Sequence, residues 1–337
     1  MNGRVRMIDQ TKLPDRLVYV RLNNYRQVSN AIKRMVVRGA PAIGVAAGMG
    51  MALAAKANRQ RSRTRTLKEL EVAAEALRRS RPTARNLFWA VDRILTRARS
   101  TPEGEDVAAA VIDEARKMAE EDVQANLNLG RFGADLISDG DQILTHCNTG
   151  TLATVSYGTA LAPIRTAVRQ GKKVSVIATE TRPRLQGAKL TTYELLSDKI
   201  PVTLIVDGAV GYVMRKGMVQ KAIVGADRIT TRYVANKVGT YLIALAAQAN
   251  NIPFYVAAPS STFDIQHDDT EIKIEERDPE EITHVNRRRV PPRGVAVYNP
   301  AFDLTPVELV RGFITEKGLF TPGSLSSMAT RAQLGQA

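Results

Sequence analysis

The second half of the sequence consists of short apolar runs that alternate with stretches of helical periodicity. The apolar runs cover residues 142–146, 173–178, 202–206, 222–224 and 253–257. The helical stretches lie at about residues 152–169, 190–197 and 234–250. Short runs bounded by helical segments predict buried strands. The alternation therefore predicts a doubly wound parallel sheet with helices on both faces.

The first part of the chain shows a different pattern. Between about residues 25 and 131 the apolar residues recur at helical spacing, as in Val28, Ile32 and Val36. We therefore expect an α/β protein with two domains, a mainly helical domain over residues 1–130 and a Rossmann-like domain over residues 131–337.

The longest apolar stretch, from Ala40 to Ala55, contains Gly44, Gly48 and Gly50. We interpret this stretch as a helix that the glycines allow to pack closely, and as too short to span a bilayer. The sequence thus predicts no association with a membrane.

The charge of the chain bears on nucleic-acid binding, and its cysteine content bears on its cellular location. The chain has 48 Lys and Arg against 34 Asp and Glu, a formal net charge of +14. The basic runs at residues 59–65 and 286–293 contain no interleaved aromatic residues and match no nucleic-acid-binding module, so we expect no specific nucleic-acid partner. A single cysteine and a start without the apolar run of a secretion signal predict a cytoplasmic protein.

Polar residues follow four of the five predicted strands: HCNTG at residues 146–150, ETR at 180–182, DG at 207–208 and GADR at 225–228. In open α/β sheets, ligands bind beyond the carboxyl ends of the strands. These four segments should therefore meet at one edge of the sheet and form the functional site.

Cys147 and Asp227 are the candidates for chemistry within these segments. A lone cysteine is most often a buried packing residue, but Cys147 is predicted where a strand gives way to a helix, whose dipole favours a thiolate or an oxyanion. Asp227 follows an apolar run, a setting that suits an acid or base, although a helix cap or a partner for Arg228 is the simpler interpretation.

Other motifs carry weaker signals. Residues 148–151 are small and polar at a predicted helix start, which suits a phosphate, yet they match neither a P-loop nor a dinucleotide fingerprint. His146, His267 and His284 show no metal-ligand spacing, so we expect neither metal nor cofactor. Lys237 is either a surface charge or a phosphate ligand.

Four motifs taken together point to a family: VRGAPAIG at residues 37–44, HCNTG at 146–150, ETRPRLQG at 180–187 and GADRI at 225–229. Together they resemble the methylthioribose-1-phosphate isomerases of methionine salvage. The resemblance runs from DQTKLP at residues 9–14, through SRPT at 80–83, to NPAFDLTP at 299–306. The same superfamily contains ribose-1,5-bisphosphate isomerase and non-catalytic regulatory subunits of a translation-initiation nucleotide-exchange factor, so both remain alternatives.

The resemblance implies an enzyme that converts 5-methylthioribose 1-phosphate into 5-methylthioribulose 1-phosphate. It implies that Asp227 is the proton donor and that Cys147 stabilises the transition state. The implied substrate contacts are Arg38, Gly39, Ala40, Arg81, Gln186, Asn236 and Lys237. One departure from the family pattern is a shorter segment at residues 231–233, just before Asn236 and Lys237. We also expect a homodimer whose only small-molecule partner is the sugar phosphate.

Overall fold

The structure, a computed structural model, describes residues 3–82, 84–265 and 272–325. The chain divides into two compact units, which we call unit 1 and unit 2. Unit 1 comprises Met1–Asn126 and Gly150–Gly158, and unit 2 comprises Leu127–Thr149 and Thr159–Ala337. A single division at residue 130 therefore does not describe the chain, because residues 150–158 return to unit 1.

Unit 1 starts with an antiparallel hairpin and continues as helices. Its elements are β1 (Val5–Ile8), β2 (Tyr19–Leu22), α1 (Tyr25–Lys33), α2 (Ala40–Ala57), α3 (Arg63–Arg78), α4 (Arg85–Ser100) and α5 (Val107–Ala134), the last of which ends within unit 2. The predicted helical character of this part is confirmed. The hairpin was not predicted, because four-residue strands are too short to display a clear alternation.

The core of unit 1 forms around α2, whose buried side chains include Ile43, Ala47 and Met51. A Cβ on Gly44 would lie 2.9 Å from the backbone oxygen of Asn86, so α2 and α4 approach closely at this point. The expectation that glycines allow close packing of this helix is confirmed.

The prediction that this apolar stretch is too short for a membrane needs correction. Among the described residues, Ala40–Ala57 is one helix of 18 residues that is long and apolar enough to cross a bilayer. However, 67% of it is buried within the protein, as expected for a core helix. Burial, rather than length, therefore distinguishes a core helix from a membrane-spanning helix in this case.

Unit 2 contains a seven-stranded sheet in the order β14-β13-β9-β6-β3-β4-β5, in which only β14 is antiparallel to its neighbour. The strands of this sheet are β3 (Gln142–Thr145), β4 (Ser175–Thr179), β5 (Val202–Ile205), β6 (Lys221–Val224), β9 (Phe254–Ala257), β13 (Gly312–Thr315) and β14 (Gly318–Phe320). The doubly wound parallel sheet is thus confirmed, and all five predicted strands are present.

The remaining elements of unit 2 are helices and short strands. The helices are α6 (Leu161–Arg169), α7 (Thr192–Ser197), α8 (Val210–Arg215), α9 (Thr240–Ala249) and α10 (Glu280–Thr283). The short strands are β7 (Arg228–Ile229), β8 (Tyr233–Lys237), β10 (His284–Val285), β11 (Arg288–Arg289) and β12 (Phe302–Pro306). A second, antiparallel sheet has the order β12-β8-β7.

Two predicted helices are shorter than the sequence suggested. Of the stretch at residues 152–169, only α6 is an α-helix. Residues 150–158 form an irregular segment with one 3-10 turn at Thr151–Ala153. The stretch at residues 234–250 starts as strand β8 and becomes helical only after Gly239. Hydrophobic periodicity does not distinguish a short buried strand from a buried helical turn.

Candidate active site

Cys147 and Asp227 follow neighbouring strands at the same edge of the sheet. Cys147 lies just after β3 and Asp227 just after β6, and these two parallel strands are paired. The two loops touch, because a Cβ on Gly225 would lie 2.6 Å from Cγ2 of Thr149. The structure therefore brings together the segments that carry both predicted catalytic residues, and each side chain is partly buried.

The backbone at Cys147 is held in an unusual conformation. Cys147 has φ +62°, and Thr181, at the end of the adjacent β4, has φ +64°. The N–H of Cys147 donates to Thr181 Oγ1 at 2.9 Å, and the carbonyl of Cys147 accepts from Thr191 Oγ1 at 2.6 Å. A β-branched residue in the left-handed region is strained, and such strain concentrates at functional sites.

The expected helix dipole at Cys147 is not present. The nearest α-helix downstream, α6, begins only at Leu161. The side-chain hydroxyls of Thr181, just after β4, and of Thr191, just before α7, fix this backbone instead. The prediction of a helix start at Cys147 is therefore wrong, because the segment that follows it belongs to unit 1 rather than packing as a helix on the sheet.

His146 anchors a chain of hydrogen bonds beside Cys147. Its Nε2 lies 2.9 Å from the Val238 carbonyl, which only accepts, so Nε2 carries the proton. Its Nδ1 lies 2.6 Å from Thr179 Oγ1 and therefore accepts from that hydroxyl when the ring is neutral. Thr179 Oγ1 lies 3.3 Å from Thr181 Oγ1, which accepts from the Cys147 N–H.

Burial lowers the pKa of His146 to about 4, although the hydrogen bond to Val238 and the charge of Asp207 act in the opposite direction. The ring is therefore neutral at pH 7, as the hydrogen bonds require. His146 thus connects the ends of β3 and β4 with the chain just after Lys237. The sequence pattern assigned no role to this histidine.

Asn148 faces a buried charged cluster rather than an open cradle. Its Nδ2 donates to Glu194 Oε1 at 2.8 Å. Glu194 and Arg165 form a salt bridge of 2.8 Å, with side-chain exposures of only 5% and 7%. The side chain of Asn148 is thus committed to this cluster, and the residues after it begin a 3-10 turn at Thr151–Ala153 instead of the predicted α-helix. The suggestion that residues 148–151 hold a phosphate through their backbone N–H groups stays a prediction.

The loop after β4 carries the predicted substrate contact Gln186. Asp207, at the end of β5, accepts from the N–H groups of Thr181 and Arg182 at 2.8 and 2.6 Å and so fixes the start of this loop. Gln186 Oε1 is buried and has no hydrogen-bond partner among the described residues. Buried polar atoms are nearly always hydrogen-bonded, so this oxygen is suited to a ligand.

Asn236 and Lys237 lie on strand β8, not at the start of a helix as predicted. Asn236 pairs with Asp303 across the β8–β12 ladder. Lys237 Nζ donates to the Ala301 carbonyl at 2.6 Å and lies 4.9 Å from the centroid of the Phe302 ring. The shorter segment that precedes them forms a tight turn, in which Thr230 Oγ1 accepts from the Tyr233 N–H at 3.0 Å.

Asp303 holds the start of α9 beside Lys237. Its Oδ2 accepts from the N–H groups of Gly239 and Tyr241 at 2.7 and 3.2 Å. Burial raises the pKa of Asp303 to about 6, while these hydrogen bonds and the charge of Lys237 act in the opposite direction. Sequence reasoning missed Asp303, although it lies within the NPAFDLTP motif.

Four of the predicted substrate contacts, Arg38, Gly39, Ala40 and Arg81, belong to unit 1. Arg38 is 9% exposed, and Arg81 is partly buried in the turn before α4. Gly39 has φ +93° and precedes the first residue of α2. The predicted set is thus divided between the two units, with the remaining residues in unit 2.

Three contacts within unit 1 hold the segment that follows the Cys147 motif. Gln10 Nε2 donates to the Leu152 carbonyl at 2.7 Å. The Val155 N–H donates to Asp122 Oδ2 at 2.7 Å, and burial raises the pKa of Asp122 to about 6. A Cβ on Gly39 would lie 2.5 Å from Cα of Ala153, so only glycine allows the two backbones to approach this closely.

An open parallel sheet with polar groups at the carboxyl ends of its strands defines an α/β protein that binds a small ligand at that edge. The model of the Initiation factor 2 subunit family matches residues 36–322 of this sequence. Since the match covers most of the chain, the protein belongs to that family.

The relatives of this chain share most of its length. The methylthioribose-1-phosphate isomerase of Acetivibrio thermocellus is 50% identical over 325 residues, which cover 95% of each chain. The crystal structure of 5-methylthioribose 1-phosphate isomerase from Pyrococcus horikoshii has a TM-score of 0.92 and 41% identity, and covers 99% of this chain and 94% of that one. The crystal structure of translation initiation factor eIF-2B subunit delta from A. fulgidus has a TM-score of 0.86 and 46% identity, and covers 99% of both chains.

Proposed function

We propose that this protein is an aldose-ketose isomerase that converts 5-methylthioribose 1-phosphate into 5-methylthioribulose 1-phosphate in methionine salvage. The observation that carries the proposal is the identity of 48 to 51% over 92 to 97% of curated relatives, several of which bear this enzyme's name. The phosphate of this substrate agrees with a chain of formal net charge +14 whose predicted substrate contacts include three cations.

The substrate restricts the chemistry. Its anomeric oxygen carries the phosphate, so the sugar ring cannot open to a free aldehyde as in ordinary aldoses. Instead, a proton must be added to the ring oxygen, the bond from that oxygen to C1 breaks, and C1 becomes electron-poor. We assign this proton transfer to Asp227, which is partly buried after β6.

In the second step, hydrogen moves from C2 to C1, the C2 hydroxyl loses its proton to the Asp227 carboxylate that the first step left, and C2 becomes the ketone carbon. In a hydride shift, the C2 hydrogen moves with its electron pair, and Cys147 stabilises the charged centre. In an enediol route, a base, Cys147 or Asp227, removes the C2 proton and C1 is protonated afterwards. Substrate deuterated at C2 distinguishes the routes, because a hydride shift retains the deuterium at C1 and an enediol route exchanges it with solvent.

We assign the remaining predicted residues to binding. The cations Arg38, Arg81 and Lys237 pair with the phosphate dianion, and the backbone N–H groups at Gly39 and Ala40 supplement them. Gln186 and Asn236 bind the sugar hydroxyls. The buried, unsatisfied Oε1 of Gln186 supports this assignment.

The decisive experiment is turnover of purified protein with 5-methylthioribose 1-phosphate, followed by phosphorus NMR. We expect the signal of the glycosyl phosphate to be replaced by that of a ketose 1-phosphate. A regulatory subunit is the second candidate, because a chain with 46% identity is a translation-factor subunit. Tight binding of the sugar phosphate without turnover would favour that candidate.

We further propose that the protein is a homodimer that pairs through an apolar face of unit 2. Strand β5 is one edge of the sheet, and Val206 and Tyr212 beyond it are 60% and 65% exposed. Leu242 on α9, a helix that packs against α8, is also exposed. The exposed apolar side chains of this face are complementary to those of a second copy.

Light scattering coupled to gel filtration tests the dimer. Tyr212→Glu should convert it to a monomer, because a charge would be buried in the interface. Leu319→Glu, on the opposite edge strand β14 and also exposed, is the matched control and should leave the mass unchanged. A monomeric wild-type protein, or equal effects of both changes, would contradict the proposed face.

A further inference from the structure

A cavity of about 410 Å³ lies within unit 1. Its walls come from β1, the first half of α2 and residues 151–155, and most of them are apolar. The apolar lining includes Val5, Met7, Val37, Val45, Met49 and Leu152. Cavities of this size with mainly apolar walls and a few polar groups are typical binding sites for small molecules.

The charged groups of the cavity all have one sign. Arg4 and Arg6 line it, and none of its described lining residues is acidic. Neither arginine forms an ion pair with a described carboxylate, and the guanidinium of Arg6 lies 3.9 Å from the centroid of the Tyr19 ring. Arg6 also lies directly opposite Arg21 in the β1–β2 hairpin, and like charges in opposite positions repel. An anion bound beside Arg6 would relieve this repulsion.

We propose that this cavity binds a small amphipathic anion, with its apolar body against α2 and its anionic group at Arg4 and Arg6. The chemical class is a soluble organic molecule with an alkyl or aryl body and one carboxylate, sulfonate or phosphate. Charge complementarity selects an anion, and the apolar walls select against small inorganic anions.

The cavity is also connected to the Cys147 motif through the chain. Thr151, Leu152 and Val155 line it, and Gln10, another lining residue, donates to the Leu152 carbonyl. These residues follow Cys147 and Thr149 directly in sequence. A ligand that displaces this segment therefore alters the conformation of the Cys147 loop, so the bound anion changes the rate of turnover. This second part rests on the proposed isomerase function.

Isothermal titration calorimetry with octanoate tests the site, with octanamide and acetate as probes that lack the charge or the apolar body. We expect octanoate to bind the wild-type protein and the other two to bind at least about tenfold more weakly, which corresponds to about 1.4 kcal/mol. The double substitution Arg4→Gln with Arg6→Gln, at two exposed residues, should also weaken octanoate binding by at least about tenfold. The pair Arg61→Gln with Arg97→Gln removes the same charge away from the cavity lining and should have no effect.

Val45→Phe fills the cavity without changing charge and should also weaken octanoate. Equal octanoate affinity in the wild-type protein and the Arg4/Arg6 variant, or no binding at millimolar octanoate, would overturn the site.

Turnover gives the second readout. Saturating octanoate should change kcat in the wild-type enzyme and not in the Arg4/Arg6 variant. A rise in KM alone would place octanoate in the substrate site and contradict the separate cavity. If the wild-type protein shows no isomerase activity, the proposed function fails, whereas calorimetry still decides whether the cavity binds the anion.

Discussion

Among single residues, Asp227 carries the first proton transfer of the proposed reaction. Asp227→Asn keeps the shape of the side chain but cannot deliver a proton, so we expect kcat to fall roughly a hundredfold or more while substrate affinity changes by less than about tenfold. Steady-state kinetics and calorimetry measure the two quantities. Asp135→Asn, an exposed change in the same unit, is the control. A near-normal rate in Asp227→Asn would show that another group supplies the proton.

The titration of His146 makes the stability of the fold depend on pH. Its pKa is about 4 in the folded protein and its ordinary value is 6.5, so between these values the unfolded chain binds a proton that the folded protein does not. Its contribution to stability is therefore complete above pH 6.5 and falls by about 3 kcal/mol as the pH decreases to 4. His146→Phe removes this titration, so we expect the melting-temperature difference between wild type and variant to shrink as the pH falls through this window.

The effect of His146 has to be measured as the wild-type melting temperature minus that of the variant at each pH, because other buried groups titrate in the same range. The raised pKa values of Asp122 and Asp303 mean that these carboxyls are protonated in the folded protein while still ionised in the unfolded chain. They stabilise the fold as the pH falls and so oppose His146 in the wild-type curve. A wild-type minus variant difference that does not depend on pH would contradict a buried, neutral His146.

At the scale of elements, Gly39 fixes how α2 meets the segment after the Cys147 motif. In Gly39→Ala, the new Cβ would lie only 2.5 to 2.6 Å from backbone atoms of Ala153 and would collide with them. The alanine would also have to adopt a positive φ, which is strained for any residue with a Cβ. Gly104→Ala is the matched control, because Gly104 has φ +90° but a Cβ added there would meet no atom within 4 Å. We expect Gly104→Ala to cost about 1 kcal/mol and Gly39→Ala at least about 2 kcal/mol more.

The midpoint of urea unfolding measures both variants. Equal costs would mean that the segment moves away without penalty and that the close approach has no structural importance. A larger cost for Gly39→Ala, together with a loss of activity beyond the loss of folded protein, would show that the position of the segment matters for the Cys147 loop.

At the scale of the whole molecule, the number of cations predicts which sugar is preferred. In the proposed binding mode, the cations Arg38, Arg81 and Lys237 are sufficient for one phosphate dianion. Arg182 and Arg184, which flank Pro183, are the candidates for a second phosphate. Arg182 donates to the carbonyls of Pro183 and Ile282, and Arg184 is paired with Glu281 at 2.7 Å. A second phosphate would have to be desolvated and to displace these contacts, at a cost of several kcal/mol.

We accordingly expect kcat/KM for 5-methylthioribose 1-phosphate to exceed that for ribose 1,5-bisphosphate by at least about a hundredfold, a difference of about 2.7 kcal/mol. Competition between the two sugars in one reaction measures the ratio directly. A ratio near one, or a preference for the bisphosphate, would assign the protein to the neighbouring isomerase of the superfamily.

The sequence by itself determined the sheet and the placement of the two candidate catalytic residues at one of its edges. The central strands of a parallel sheet are buried on both faces, so β3, β4 and β6 appear as continuous apolar runs that can be identified locally. The polar residues after these runs then have to share one edge, which is why the order of residues alone places Cys147 and Asp227 on loops at that edge.

Only the tertiary structure decided the parts that depend on contacts distant in sequence. Asn236 is on a strand because β8 pairs with β12, where its partner is Asp303, and no local pattern reports such a pairing. His146 is neutral because it is buried between Thr179 and Val238. Residues 150–158 leave unit 2 because Gln10, Gly39 and Asp122 hold them in unit 1. Periodicity records which residues are buried, whereas the identity of their partners is set by the fold.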